Sequence, residues 1–231
     1  MIGTITNTAA IVAGSLIGVF LRRGIPDPVK ETVMQGLGLS VLLIGIQMSL
    51  KTENVLLVVI SMVVGGAIGQ ALNIERFLAS IGSRLEVRFG GGEGRLSRAF
   101  ISASLIYCVG AMAILGSIED GLNGNPSILF AKSTLDGVSA IIFSSTMGIG
   151  VLFSAAPVLI YQGAITLLAE SFKSILTGGV IRELTATGGL LIVGIAVNVL
   201  GIMEIRVGNL LPALAVVVAL ALAAERYGLG F

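Results

Sequence analysis

The stretch SILFAKSTLDGVSAIIFSSTMGIG, residues 127–150, decides how this chain is read. It is apolar enough to lie inside a bilayer, yet it carries Lys132 and Asp136, four residues apart and so on one face of a helix. Ionisable groups are expensive at membrane depth, and those found there line a pathway or tie helices together. Ser139 continues the face, Phe143 interrupts it, and Thr146 follows one turn on. Lysine before aspartate is not the order that favours an exposed helical pair, so surface pairing explains it poorly. Two plainer readings stand beside a pathway role. Lys132 would snorkel to the interface, and Asp136 would cap a span that begins at Gly137.

Outward from this stretch the chain is membrane protein almost throughout. Its mean hydropathy is +1.02 and 12% of its residues are charged, against roughly 25% in soluble domains. A spanning helix takes about 20 residues, so the 231 residues accommodate about eight spans and little else. The expected fold is all-α: a polytopic transmembrane helical bundle forming one integral membrane domain over residues 1–231. The apolar runs fall near 2–20, 33–50, 55–72, 99–118, 137–154, 157–172, 184–200 and 207–224. Residues 127–155 are too long for one simple span and would hold a half-helix or re-entrant piece, starting with SILFAKSTL, before a full span. The first apolar run lacks a preceding basic region, so it reads as a span and not a signal peptide.

The one long polar stretch, 73–97, is too short to bury a core. In it Ile74, Phe77, Leu78, Ile81 and Leu85 recur at helical spacing, which predicts an amphipathic helix over 74–89 against the headgroups. Glycines 90–92 then form a hinge. Basic residues set the orientation. With the N-terminal end outside, Arg22, Arg23 and Lys30, then the arginines between residues 76 and 98, fall in the cytoplasm.

Composition excludes several chemistries. The chain has no histidine and a single cysteine, Cys108, in the apolar run LIYCVGAMAIL. An intrachain disulfide, a paired-cysteine metal site and histidine acid–base catalysis are therefore excluded. The GGGEGR at 90–95 lacks the GK[ST] of a nucleotide-binding loop, and no nucleophile motif accompanies the serines. Scattered basic residues with a net charge of +1 form no nucleic-acid footprint. No enzyme activity, metal or cofactor is expected. The expected partners are the lipid bilayer and a small ion or polar solute, with self-association into a homo-oligomer left open.

An internal duplication is the next expectation. LGLSVLLIGIQMSL, ending at Leu50, resembles ATGGLLIVGIAVNVL, ending at Leu200, and the runs before and after them also match. Spans 1–3 (2–72) then correspond to spans 6–8 (157–224). Five crossings separate the starts of the units, which inverts the second, a plan recurrent in secondary transporters. Gln47 and Asn198 occupy similar points of the two units and are expected to approach one another. Asn7, in span 1 beside Thr4 and Thr8, suits either a bond between helices or an ion ligand. Tyr107, Tyr161 and Gln162 are interior candidates. Glu119 and Asp120, in EDGLNGNP, read as charges solvated in a turn.

GTITNTAAIVAGSLIG, LLIGIQMSL, KSTLDGVSAIIFSSTMGIGVLFSA and PVLIYQGAITLLA together resemble the bacterial and archaeal integral membrane family catalogued as domain of unknown function 554. The resemblance covers essentially the whole chain. It implies a multi-pass inner (plasma) membrane protein and supplies no activity or substrate. The family's Lys-Ser-x-x-Asp-Gly segment corresponds to Lys132, Ser133, Asp136 and Gly137. The residues and the resemblance together suggest a secondary transporter or channel-like permease for a small cation, a proton-coupled solute or a small zwitterion. A regulatory or scaffolding membrane protein acting through the 74–89 helix is the alternative.

Overall fold

In lipid a chain segment must satisfy its own backbone, and a helix does so within one span. The structure, a computed structural model, describes residues 1–22, 26–77, 80, 84, 87, 95–108, 111–173 and 175–227. Among these every regular element is helical: α1 (Ile2–Leu21), α2 (Asp27–Ser49), α3 (Val55–Leu72), α4 (Arg95–Cys108), α5 (Ala111–Leu122), α6 (Ser127–Met147), a 3-10 segment (Ile149–Ser154), α7 (Ala155–Leu167), α8 (Ala169–Lys173), α9 (Gly178–Val199), α10 (Val207–Leu210) and α11 (Pro212–Tyr227). Among the described residues seven helical stretches are long and apolar enough to cross a membrane, and α4 with α5, bent by 58°, makes up to eight if the pair is one span. Large apolar side chains such as Phe20, Leu50 and Val63 lie exposed on these helices, as lipid-facing surface requires. The chain divides into two compact units: 1–37, 78–108 and 112–172 in the first, and 38–77, 109–111 and 173–231 in the second.

In the first unit α1 lies along α6, and the two run parallel. Gly3 meets Leu129, and the missing side chains of Gly14 and Gly18 leave room for the carbonyl oxygens of Gly137 and Ile141. A Cβ at either position would overlap that backbone, so the small-residue spacing Gly14-x-x-x-Gly18 is what lets these helices touch. α7 runs antiparallel to α1, with Thr4 opposite Thr166 at 3.2 Å. The α4–α5 pair travels antiparallel to α6 along its length. Leu96 and Ala99 border Gly150, Tyr107 packs on Phe143 with ring centroids 6.1 Å apart, and Gly116 borders Leu129. Its far end places Asp120 at the first turn of α1, where the carboxylate accepts a hydrogen bond from the Gly3 amide at 3.1 Å. The broken pair thus passes from one end of α6 to the other, which makes it a crossing and supports eight spans.

In the second unit α2 crosses α9 antiparallel: Gly38 borders Leu200, and Gly45 borders Gly189 and Val193. α3 crosses α11 antiparallel at Gly65, against Ala213, and Gly69, against Asn209. The buried carboxylate and amide of this unit sit near helix ends. Glu183, fully buried on α9, accepts from the Thr52 hydroxyl at 2.5 Å and the Glu53 amide at 2.9 Å, and so holds the turn that starts α3. At the opposite end of α3, Glu75 accepts from the Gly208 amide at 2.6 Å, and the Asn209 amide group bonds Glu75 and Gln70.

Three expectations are corrected. Residues 127–136 are not a half-helix, because α6 is continuous from Ser127 to Met147. Gly137 packs 3.3 Å from Ala10 by its would-be Cβ, so its smallness serves packing against α1 and starts no span. A bend is found instead between α4 and α5, whose axes differ by 58°. Asp120 is 6% exposed and caps α1, so it is no solvated turn residue. Most of the 74–89 helix and all of the 90–92 hinge lie outside the described residues.

Substituting valine at Gly14 is expected to lower stability by about 2 kcal/mol or more, because the added atoms strike backbone that cannot rotate away. Thermal unfolding in detergent measures this. Gly178→Ala, which meets nothing within 4 Å, is expected to leave the midpoint unchanged.

Candidate functional site

Three helices of the first unit bring their polar residues to one place. α6 supplies Lys132 and Asp136, buried at 7% and 6% exposure. Asp136 sits nine residues beyond Ser127, roughly 13 Å along the helix axis. The Lys132 ammonium donates to Asp136 Oδ1 at 3.0 Å and forms an ion pair with Oδ2 at 2.8 Å. α1 supplies Asn7, fully buried, whose Nδ2 donates to Asp136 Oδ2 at 3.0 Å and to Gln162 Oε1 at 3.2 Å. α7 supplies Gln162, also fully buried. The result is a chain of four side chains: ammonium, carboxylate, amide, amide.

The fourth span breaks at the same level. Tyr107, fully buried, packs on Phe143, with its hydroxyl near Ser139 but outside hydrogen-bond geometry. Cys108, at the break, lies within electrostatic reach of both Lys132 and Asp136. Three polar atoms in this neighbourhood are buried without a hydrogen-bond partner: Asn7 Oδ1, Gln162 Nε2 and the Tyr107 hydroxyl. Five other buried polar atoms among the described residues, those of Ser15, Ser117, Ser144, Arg182 and Thr187, are unpaired as well.

The other sequence candidates separate into bystanders and structural groups. The Ser133 hydroxyl bonds back to the Leu129 carbonyl, the Ser139 hydroxyl to the Asp136 carbonyl, and the Thr146 hydroxyl to those of Ile142 and Phe143. Ser139 flanks the cluster, and Thr146 lies at the far end of α6. Asn198 bonds both the amide and the carbonyl of Ile205, at 2.7 and 2.8 Å, and so staples the turn after α9. Gln47 is exposed on α2. The antiparallel crossing puts Gly45 beside Gly189 and leaves Asn198 near the level of Gly38, so Gln47 and Asn198 do not meet. Lys132 does not reach out of the protein and Asp136 caps no helix, because each is occupied by the other in mid-helix. Gln162, an interior candidate by its setting in an apolar run, turns out to be a direct partner of Asn7. Glu183 went unread as a buried group. Its signal was a glutamate closely following a glycine pair at a span's start, which resembles any interface charge.

The family described as "Protein of unknown function (DUF554)" matches residues 2–222 of this chain. The Bacillus subtilis (strain 168) protein named "Uncharacterized membrane protein YdfK" is 33% identical over the whole of both chains. The Escherichia coli (strain K12) protein named "Uncharacterized protein YqgA" is 28% identical over 93% of each. No solved structure matches the chain.

The pair's energetics are open to a double-mutant cycle. Breaking a buried ion pair from one side leaves an uncompensated charge and costs about 3–5 kcal/mol, whereas removing both charges costs far less. D136N and K132Q alone are each expected to lower the thermal midpoint sharply, and the double variant to recover most of the loss. Equal, additive losses would place the two charges in water.

Proposed function

The chain belongs to the DUF554 family of membrane proteins, and from the geometry of its buried cluster we propose that it is a secondary transporter or channel-like permease for a small cation or small polar solute. One observation carries this reading: a buried lysine–aspartate pair, extended by two amides with orphaned polar atoms, stands where a neighbouring span is broken. A bent span packed against a buried polar cluster is a recurrent setting for solute sites in transporters.

The helix pairings support the reading further. The first, second and third spans each cross the sixth, seventh and eighth in antiparallel fashion: α1 on α7, α2 on α9, α3 on α11. An inverted duplication would pair each span with its counterpart in this antiparallel way. Such a duplication would supply two arrangements related by a two-fold rotation, one open to each side of the membrane. One charge pair and several neutral oxygens suit a monovalent cation, a proton or a small zwitterion better than a multiply charged anion.

We place the protein in the cell (inner) membrane, with the 73–97 loop in the cytoplasm. A cysteine introduced at Ser80 of a Cys108→Ala background is expected to react with an impermeant maleimide only after the cells are opened. Labelling from outside would reverse the orientation. Transport itself is tested by reconstituting the full chain into sealed liposomes and measuring uptake across a panel of alkali cations, protons and amino acids. Flux of at least one is expected, and the K132Q/D136N double variant is expected to abolish it while remaining folded. Absence of flux throughout the panel removes the proposed substrate classes.

A further inference from the structure

The Lys132–Asp136 pair is neutral as it stands, and its bonding capacity is not used up. An ammonium carries three N–H donors. Among the described residues the Lys132 ammonium has one partner, Asp136, which it meets at 3.0 Å on Oδ1 and 2.8 Å on Oδ2. At least one N–H is left over. A carboxylate offers about four lone-pair sites. Lys132 takes two of them at most, and Asn7 Nδ2 takes one on Oδ2 at 3.0 Å. At least one charged donor and one charged acceptor thus remain side by side. Burial is graded in the same sense. Asn7, Gln162 and Tyr107 are fully closed off, and the little exposure left among these five side chains belongs to Lys132 and Asp136. The open side of the cluster is its charged side. Away from bulk water an unspent charged donor and acceptor are costly, and one molecule that carries both complements answers them together.

Resting on the reading of this cluster as a solute site, we propose that its solute is a net-neutral α-amino acid, whose carboxylate pairs with the unspent N–H of Lys132 and whose ammonium pairs with the unspent oxygen sites of Asp136. Charge conservation selects the zwitterion. The pair already sums to zero, so a lone cation or anion brings a net charge into an apolar bundle, and a zwitterion brings none. An amino acid with a charged side chain fails the same count. Geometry selects the α class. Its two charges hang from one carbon and are as close to each other as those of a paired lysine and aspartate. Docked head to tail, solute and pair form a closed square of alternating charges, and the Lys132–Asp136 contact stays intact. Both new contacts are charge-assisted hydrogen bonds, the strong kind. Asn7 is then a positioning residue, whose Nδ2 holds Asp136 Oδ2 from the closed side.

The test is binding, read on the full-length protein in detergent as the rise of its unfolding midpoint with added ligand. The probes are glycine, L-alanine, L-serine and L-leucine at neutral pH and equal ionic strength. Beside each stand its two halves, the amine without the carboxylate and the carboxylate without the amine; for alanine these are ethylamine and propionate. At least one amino acid is expected to raise the midpoint saturably. Either of its halves is expected to need at least about ten-fold more for the same shift, having lost one hydrogen bond between charged groups. K132Q/D136N keeps the bundle neutral and is expected to lose the effect, whereas a general solute effect on folding would persist in it. No shift with any of the amino acids overturns the proposal. So does a half that protects as well as the whole, and so does protection that survives in K132Q/D136N. The comparison of whole with halves uses the wild-type chain alone, so it decides even where the double variant does not fold. A protein that binds an amino acid yet moves nothing in liposomes keeps the site and loses the transport reading. One that moves an alkali cation or protons while no amino acid protects it does the reverse.

Discussion

A lysine and an aspartate inside a bundle of apolar helices must neutralise each other, because water is not there to do it. Much of the first unit can be traced from that constraint. Lys132 and Asp136 face one way only because they are four apart on a continuous α6. The carboxylate has more acceptor capacity than one ammonium uses, and Asn7 of α1 takes part of the remainder. Asn7 reaches it because α1 lies in backbone contact with α6, and that contact exists because Gly14 and Gly18 have no side chains. Gln162 of α7 then completes the Asn7 Nδ2 bonds. A packing motif of two glycines and an electrostatic site are therefore one device, and loss of the first would pull the second apart.

The second unit handles polarity differently. Its buried carboxylate, Glu183, meets neutral donors at the start of α3, and its buried amide, Asn209, ties the end of α3 to the segment before α11. These groups answer the unsatisfied backbone of helix ends. The paired charges in mid-helix belong to the first unit. Among the described residues the mid-helix ion pair lies in the first unit, whereas carboxylates that hold helix ends occur in both, Asp120 in the first and Glu183 and Glu75 in the second.

The sequence was most legible where the physics is local. Apolar run length placed α1 and α3 within a residue, since span length follows from bilayer thickness. The spacing of Lys132, Asp136 and Ser139 placed them on one face, and the glycine pairs of α1 and α3 were visible as packing signals. Which helices those faces meet was not legible, because apolar runs carry no address. Hence Asn7 had two readings until Asp136 was found opposite it, and Gln47 was matched to Asn198 by analogy when the crossing register separates them. The bend between α4 and α5 escaped because LIYCVGAMAIL is an unbroken apolar run without proline. Gly137 misled in the opposite direction: a glycine after an aspartate reads as a helix start, yet here it makes room for α1. Asp120 was taken for a turn charge because EDGLNGNP is rich in turn formers, whereas α5 continues through it to Leu122.

Cys108 offers the most direct measurement of the central claim, that a polar solute can reach the cluster. It is the chain's single cysteine and stands at the break, near Lys132 and Asp136. A small, charged, membrane-impermeant methanethiosulfonate is applied to the folded wild-type protein in sealed liposomes, and modification is followed by mass. The account predicts modification of Cys108 over the time of turnover, at a rate that falls when the cluster's solute is present. A thiol that reacts with an apolar maleimide from the lipid but never with the charged reagent would contradict it, and would make the cluster a dry lock between helices.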